Sequence, residues 1–390
     1  MCEGNGFLRE TQTFAFYFAN VCPFMQYIIN IITTFAVENQ LLLQAANTTM
    51  ANTPITIKDI ARALNVSVST VSRALKNNPD ISKDTRKLVN DYARQHNYKP
   101  NVMAANLRSS RSNIIGVIVP QLVHHFFSCV LSGIERKASA AGYTILVAQS
   151  TESYEEEVQI VRRFQEARVC GVIASLAKQT THYDHYQDLL DAGIPVVFYD
   201  RICTGVKTER VVVDDYAGAF AAVEYLIQTG CKRICFFGAD PHLEITKNRR
   251  NGYLDALRRY SIPIDESLIT MCDTRQKAMA LTPDLLESPQ RPDAFFAIND
   301  ETAAGILYAC KMAGVKVPQE VSICGFTDGM IAQSTDPKLT TVEQHGDEVG
   351  ASAFAILQEK LEHLNRKEEG TYLIKNRIVR TNLVVRGTTK

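Results

Sequence analysis

The sequence has no tryptophan, no net charge and no Cys-x-x-Cys pair. Without tryptophan, any aromatic platform for a sugar ring must be Phe or Tyr. Without paired cysteines at zinc spacing, the ten cysteines offer no metal framework. Cys170, Cys235 and Cys324 sit in apolar, strand-like runs and read as reduced thiols packed as small hydrophobes. There is also no P-loop, no Gly-x-Ser-x-Gly and no His-Glu-x-x-His, so the familiar enzyme signatures are missing. No catalytic residue, cofactor or metal site is expected. His182-Tyr183-Asp184-His185 has helix-compatible metal spacing but reads as a solvated helix start.

The zero net charge hides a segregation. Between Pro54 and Ser112 there are eleven Lys and Arg against four Asp, a net of +7, which the rest of the chain must balance. Positive charge gathered in one short segment is an electrostatic footprint for nucleic acid. A single core stops growing at roughly 250–300 residues, so a chain of 390 implies more than one folding unit.

Residues 11–37 carry no charge and approach the length of a membrane span. Asn20, Pro23, Gln26, Asn30, Thr33 and Thr34 dilute the run, and no lysine cluster flanks it. No membrane association is expected, and Met1–Arg9 makes a poor signal peptide. The expectation is that residues 1–53 form an extension and that Met50 is the native start, close to the first helix signal.

Thr56-Ile57-Lys58-Asp59 predicts a capped helix start, with Ile57, Ile60, Ala61 and Leu64 as its apolar stripe. Asn65 suits the left-handed conformation of a tight turn. Ser67 predicts the cap of a second helix, Val68–Leu75, with Val71, Ala74 and Leu75 inward and Val68, Ser69 and Arg73 outward. After the Asn77-Asn78-Pro79-Asp80 break, Ser82 caps a third helix with Thr85, Leu88, Val89, Tyr92 and Ala93 periodic. Two short helices joined by a tight turn form the helix-turn-helix plan, whose second helix reads the major groove. An arginine there can bridge guanine O6 and N7, and Ser69, Thr70 and Ser72 are short donors for bases or phosphates.

The run Ile57–Leu75, with Thr85-Arg86, Asn97-Tyr98-Lys99-Pro100-Asn101 and Leu107, resembles the signature of lactose/galactose-repressor (LacI/GalR) transcription regulators, and the likeness extends over residues 54–390. It implies a DNA-reading domain at 54–99, with Val68 and Ser69 setting operator choice and Arg73 contacting a base. It also implies a hinge helix over 100–112, capped by Asn101, that forms on DNA beside its twin from a second subunit and wedges Leu107 into the minor groove. Asn106 departs from the polar or basic residue of many relatives. The expected DNA contacts are Thr56, Val68, Ser69, Thr70, Ser72, Arg73, Asn77, Tyr98, Asn101 and Leu107.

From Ile114 onward short apolar runs alternate with helical segments. Ile114–Val119, Thr144–Ala148, Cys170–Ala174 and Val196–Tyr199 read as buried parallel strands, and the rhythm restarts at Val211–Val213, Ile234–Gly238, Ala294–Ile298 and Val321–Gly325. Two open parallel sheets predict two lobes with a ligand cleft at the strand ends. With the small all-α head, this is an α/β, periplasmic-binding-protein-like body. Its N-lobe is expected at 113–212 and 328–342, and its C-lobe at 213–327 and 343–390. Asp200-Arg201, Asp214-Asp215 and Asn299-Asp300 each follow a strand and supply the ligand candidates, with Arg201 and Asp214 the choices in the first two pairs. The resemblance adds Arg249, within Arg249-Arg250-Asn251-Gly252-Tyr253, and Asp300 as binders of effector hydroxyls. Phe126 and Phe127 either wall the pocket or join the core. Thr274 stands where relatives often place a stacking aromatic.

The reading is therefore a cytoplasmic, homodimeric regulator, in all expectation a repressor, that binds operator DNA under control of a sugar-like effector. The alternative is a secreted two-lobed sugar-binding protein, which has no use for the basic segment Lys58–Arg111.

Overall fold

The computed structural model describes residues 55–98, 112–366 and 373–390. The chain divides into two compact units, at 1–105 and 106–390. Asn101, Leu107 and the apolar run at 11–37 lie outside the described residues.

The first unit holds α1 (Ile57–Ala63), α2 (Val68–Leu75) and α3 (Lys83–Gln95). Side chains of Thr56, Ser67 and Ser82 accept hydrogen bonds from Asp59, Thr70 and Thr85 amides, satisfying otherwise orphaned donors. The Asp59 carboxylate returns the bond to the Thr56 amide at 3.0 Å, completing a capping box. Each helix ends in an asparagine at positive φ, Asn65 (51°), Asn77 (54°) and Asn97 (50°), the residue type that enters this region at least cost after glycine. Ile60, Ala61, Val71, Ala74, Val89 and Ala93 form the core. Leu88 is 54% exposed, contrary to expectation. One position before Val89 places it about 100° around the helix, off a narrow buried stripe.

The second unit begins β1 (Ile114–Val119), α4 (His125–Ala140), β2 (Thr144–Gln149), α5 (Tyr154–Glu166), β3 (Gly171–Ala174), α6 (Asp184–Asp191), β4 (Val196–Tyr199) and β5 (Glu209–Val213). It continues with α7 (Asp215–Gln228), β6 (Ile234–Gly238), α8 (Glu244–Arg259), β7 (Ile269–Met271), α9 (Arg275–Glu287), β8 (Ala294–Ala297) and α10 (Asp300–Met312). It closes with β9 (Ser322–Thr327), α11 (Met330–Ser334), β10 (Thr340–Glu343), α12 (Gly346–Arg366), β11 (Asn376–Val379) and β12 (Asn382–Val384). One sheet has the order β11-β5-β4-β3-β1-β2, and the other β12-β10-β9-β8-β6-β7. All pairings are parallel except β10 with β12. Gly142, Gly193, Gly230 and Gly314, at φ between 70° and 98°, end α4, α6, α7 and α10.

The strand pairing corrects the expected lobe boundaries. Val211–Val213 belongs to β5, which pairs with β4 and so joins the first sheet. Residues 340–343 pair with β9 in the second sheet, whereas α12 packs on β3, β4 and β5, and β11 pairs with β5 in the first. Among the described residues the N-lobe is therefore 112–213, 346–366 and 373–379, and the C-lobe 215–343 and 382–390. Periodicity identifies a strand but not the sheet that it joins, and the last two segments were expected in the reverse lobes. The chain crosses between lobes three times, and the crossings are tied together. The Asp214 amide donates to the Val379 carbonyl at 3.0 Å, and Asn382 Nδ2 lies 3.0 Å from His345 Nε2.

Candidate DNA-reading face and effector cavity

On the first unit, α2 presents Ser69 and Arg73 to solvent. Ser67 Oγ sits 2.7 Å from Ser69 Oγ and 2.8 Å from Thr70 Oγ1, so the hydroxyls cluster at the N-terminus of this helix. Arg73, in the last turn of α2, has no ion-pair partner among the described residues. A short helix that shows a free guanidinium and clustered hydroxyls matches what a major-groove reader needs.

On the second unit, a cavity of about 540 Å³ opens at the carboxyl ends of both sheets. The carboxyl ends of β1, β3 and β4 and the segments that follow them supply His124, Phe126, Phe127, Lys178, Asp200 and Arg201; those of β6, β7, β8, β9 and β10 supply Leu243, Asp273, Thr274, Asn299, Asp300, Thr327 and Gln344. Arg249 reaches it from α8. This is where open parallel sheets bind ligands, because strand ends and helix N-termini converge there.

Arg249 is 3% exposed. It donates to Asp215 Oδ1 at 2.8 Å and to the Ile298 carbonyl at 2.5 Å, and its guanidinium lies 3.6 Å from the centre of the Phe326 ring. Burial pushes the Asp215 carboxyl up to about 6, against the pull of Arg249. Asp300 is also 3% exposed; its carboxylate accepts from the Gly329 amide at 2.7 Å and from Thr341 Oγ1 at 2.5 Å. Burial raises it to about 6 as well. Arg201 pairs with Glu152 at 2.6 Å and lies 5.5 Å from the Phe127 ring centre. Between the lobes, Lys178 Nζ meets Asp273 Oδ2 at 2.6 Å, while Lys277 holds the other oxygen of Asp273 at 2.9 Å.

Two family descriptions match the chain: bacterial regulatory proteins of the lacI family over residues 56–101, and a periplasmic binding protein-like domain over 223–389. The HTH-type transcriptional repressor CytR of Escherichia coli (strain K12) is 32% identical over 339 residues, spanning 87% of this chain and 97% of that protein. The chain belongs to the lacI family. Catabolite control protein A of Priestia megaterium is 30% identical over 78% of the chain and 91% of its own length. A periplasmic binding protein/LacI transcriptional regulator from Alkaliphilus metalliredigens, solved with D-xylulofuranose, superposes with a TM-score of 0.62 at 28% identity, covering 72% of this chain and all of that one. The lacI relatives are DNA-binding transcriptional regulators governed by small-molecule effectors, and so is this chain.

Within that family frame, the expected residues divide. Thr56 caps α1. Ser69 and Arg73 are exposed on α2; Thr70 and Ser72 are half-buried. Val68, expected outward, is half-buried against the core because the first turn of α2 leans on α1. Asn77 ends α2, and Tyr98 packs against the same core. In the second unit Phe126, Phe127, Arg201, Arg249 and Asp300 line the cavity, and the two phenylalanines also belong to the N-lobe core. Both open readings of that pair hold at once.

Asp214 is a correction. It caps α7, accepting from the Ala217 amide at 3.0 Å, and is not in the cavity wall. Its neighbour Asp215 is the carboxylate held to Arg249. Adjacent aspartates at a helix start differ only in helical phase, which sequence does not resolve to one residue. Asp200, named with Arg201 as following a strand, lines the cavity; Lys178, Asp273 and Gln344 were not singled out as ligand residues. Their one signal is position, each standing just after a strand. Among the described residues no group of three or more His, Cys, Asp and Glu is arranged to hold a metal ion. His185 turns inward to Glu157 at 3.0 Å and is buried, not solvated at a helix start as expected. The eight described cysteines are free thiols. No described helix is long and apolar enough to cross a membrane.

Proposed function

We propose that this chain is a cytoplasmic, homodimeric repressor that reads an operator through α2 and the 100–112 linker and is switched by a sugar-like molecule in the cleft. The observation that carries it is the joining, in one chain, of a basic three-helix head with free Arg73 and a polar cavity at the strand ends of two lobes. Ser69 and Arg73 read base edges; Thr56, Thr70, Ser72, Asn77 and Tyr98 set the register on the backbone; Asn101 and Leu107 act in the linker. Arg201, Arg249 and Asp300, with the Phe126–Phe127 wall, hold the effector. The D-xylulofuranose bound to the Alkaliphilus relative supports a sugar-sized, polyhydroxylated ligand. A ligand with unequal affinity for open and closed lobes shifts DNA affinity by that difference.

The test is selection of an operator from a random duplex library, followed by affinity against salt. Binding should fall steeply between 50 and 200 mM salt, as counterion release requires. Arg73→Ala should lose about 1–3 kcal/mol of sequence discrimination and keep most non-specific binding. A chain that takes up sugar yet shows no salt-dependent DNA binding would refute the reading and favour a transport-type binding protein.

A further inference from the structure

We propose that the cleft is built for an uncharged, polyhydroxylated ligand and discriminates against phosphorylated and carboxylated ones. The inference rests on the cleft being the effector site and adds the charge class of what enters it.

The wall carries cationic side chains, but nearly all are already satisfied by carboxylates. Lys178 is paired with Asp273 across the lobes at 2.6 Å. Arg201 is held by Glu152 at 2.6 Å. Arg249 is held by Asp215 at 2.7 Å. Burial, with Arg201 nearby, pushes the His124 imidazole down and disfavours its charged form. An anionic ligand therefore meets three cations whose charge is already offset by a carboxylate beside them, and draws little net attraction from them unless that carboxylate is displaced. One of those carboxylates, Asp215, is 3% exposed and has Arg249 as its one ion-pair partner among the described residues. Leaving such a carboxylate unpaired costs more than the new contact returns.

The anions on the wall are less well matched. Asp200 lies at the end of β4, 5% exposed, and its carboxylate has no hydrogen-bond or ion-pair partner among the described residues. Glu301, second residue of α10, also lines the cavity without such a partner. Opposite them stands one cation without a partner among the described residues, Arg275, and it is exposed. Among the groups without a partner the wall thus holds two carboxylates against one guanidinium, and although Arg201 and Arg249 lie near Asp200, burial outweighs their pull and raises its carboxyl. A buried, unpartnered carboxylate is satisfied by ligand hydroxyls, which donate two strong hydrogen bonds, and is opposed by a phosphate or carboxylate at the same distance.

The test is calorimetry on the full chain with matched probe sets: pentoses, hexoses and nucleosides, each as the neutral compound, its phosphate and, for the sugars, its acid. The expected result is that any set that binds does so through its neutral member, at least about tenfold tighter than the charged forms. Asp200→Asn should narrow that gap. A phosphorylated or acidic member that binds as tightly as its neutral parent overturns the proposal. Inorganic phosphate adds an arm independent of ligand identity. At equal ionic strength, phosphate should raise the melting temperature of wild type and Arg275→Ala equally, through general exclusion from the surface. A phosphate-specific rise that Arg275→Ala abolishes is the overturning result. If neutral probes bind but leave DNA affinity unchanged, the effector reading fails while the charge discrimination stands.

Discussion

If Arg249 only bound effector, removing it would abolish the ligand response and leave the fold intact. Its burial against Asp215, the Ile298 carbonyl and Phe326 argues otherwise. Arg249→Ala leaves Asp215 as a buried charge without a partner and should cost about 3–5 kcal/mol of stability of the second unit, read by urea unfolding. The pair Arg249→Met with Asp215→Leu removes both charges together and should recover most of that loss, because an apolar pair of similar volume is often as stable as a buried ion pair. It should still fail to respond to effector in a DNA-release titration. Recovery of stability together with a normal response would take Arg249 out of the site. Asp300 makes a pH prediction. Its folded carboxyl is raised to about 6, above the ordinary 3.8, so the protonated form is favoured on folding. That contribution is complete below pH 3.8 and is lost as pH rises through about 6, worth roughly 3 kcal/mol for a shift of about two units. Unfolding free energy measured from pH 4 to pH 7.5 should carry this decline together with a similar one from Asp215, and Asp300→Asn should remove the Asp300 share and leave a shallower slope.

Packing between elements places the cavity walls. Helices α4 and α12 both cover the first sheet, and α4 starts with the His125–Phe127 segment that lines the cleft. They approach so closely that a Cβ on Gly350 would lie 2.0 Å from the Val130 carbonyl oxygen, and one on Gly133 2.2 Å from that of Asp347. Backbone cannot yield as a flexible side chain does. Gly350→Ala gains about 1 kcal/mol of helix propensity but forces the helices apart, so a net loss of roughly 1–3 kcal/mol is expected in urea unfolding, with weaker effector binding. A neutral or stabilised variant would mean the pair can slide without cost. None of this was legible in the sequence, where Gly133 and Gly350 look like weak spots in ordinary helices. What was legible is local in origin: the three caps at Thr56, Ser67 and Ser82, the strands at Ile114–Val119 and Val196–Tyr199, and the cavity residues Arg201, Arg249 and Asp300. Each depends on a cap, a period or a strand end that a few neighbouring residues decide. The lobe assignment of 340–366 and the choice between Asp214 and Asp215 depend on pairing and helical phase, which only the assembled sheet decides.

At the scale of the molecule, charge does two separate jobs. The head's excess is carried by lysines and arginines on its surface, whereas three of the four cations that line the cleft are paired with carboxylates beside them. High salt should therefore act on the two functions unequally, weakening DNA binding steeply and effector binding little, since buried pairs are poorly screened. The exception is the bridge from Lys178 to Asp273, where the lysine side chain is 30% exposed and joins the N-lobe to the C-lobe at the cavity wall. A partly exposed ion pair is worth about 0.2–1 kcal/mol. If it contributes to holding the lobes together around ligand, Lys178→Met should weaken effector binding by up to about fivefold and leave DNA binding without effector unchanged. Asp273 keeps Lys277 as a partner in that variant, so the loss reports the bridge between lobes and not an abandoned carboxylate. Effector affinity of Lys178→Met should also lose its residual salt dependence; a variant as salt-sensitive as wild type would show that the bridge takes no part in closure.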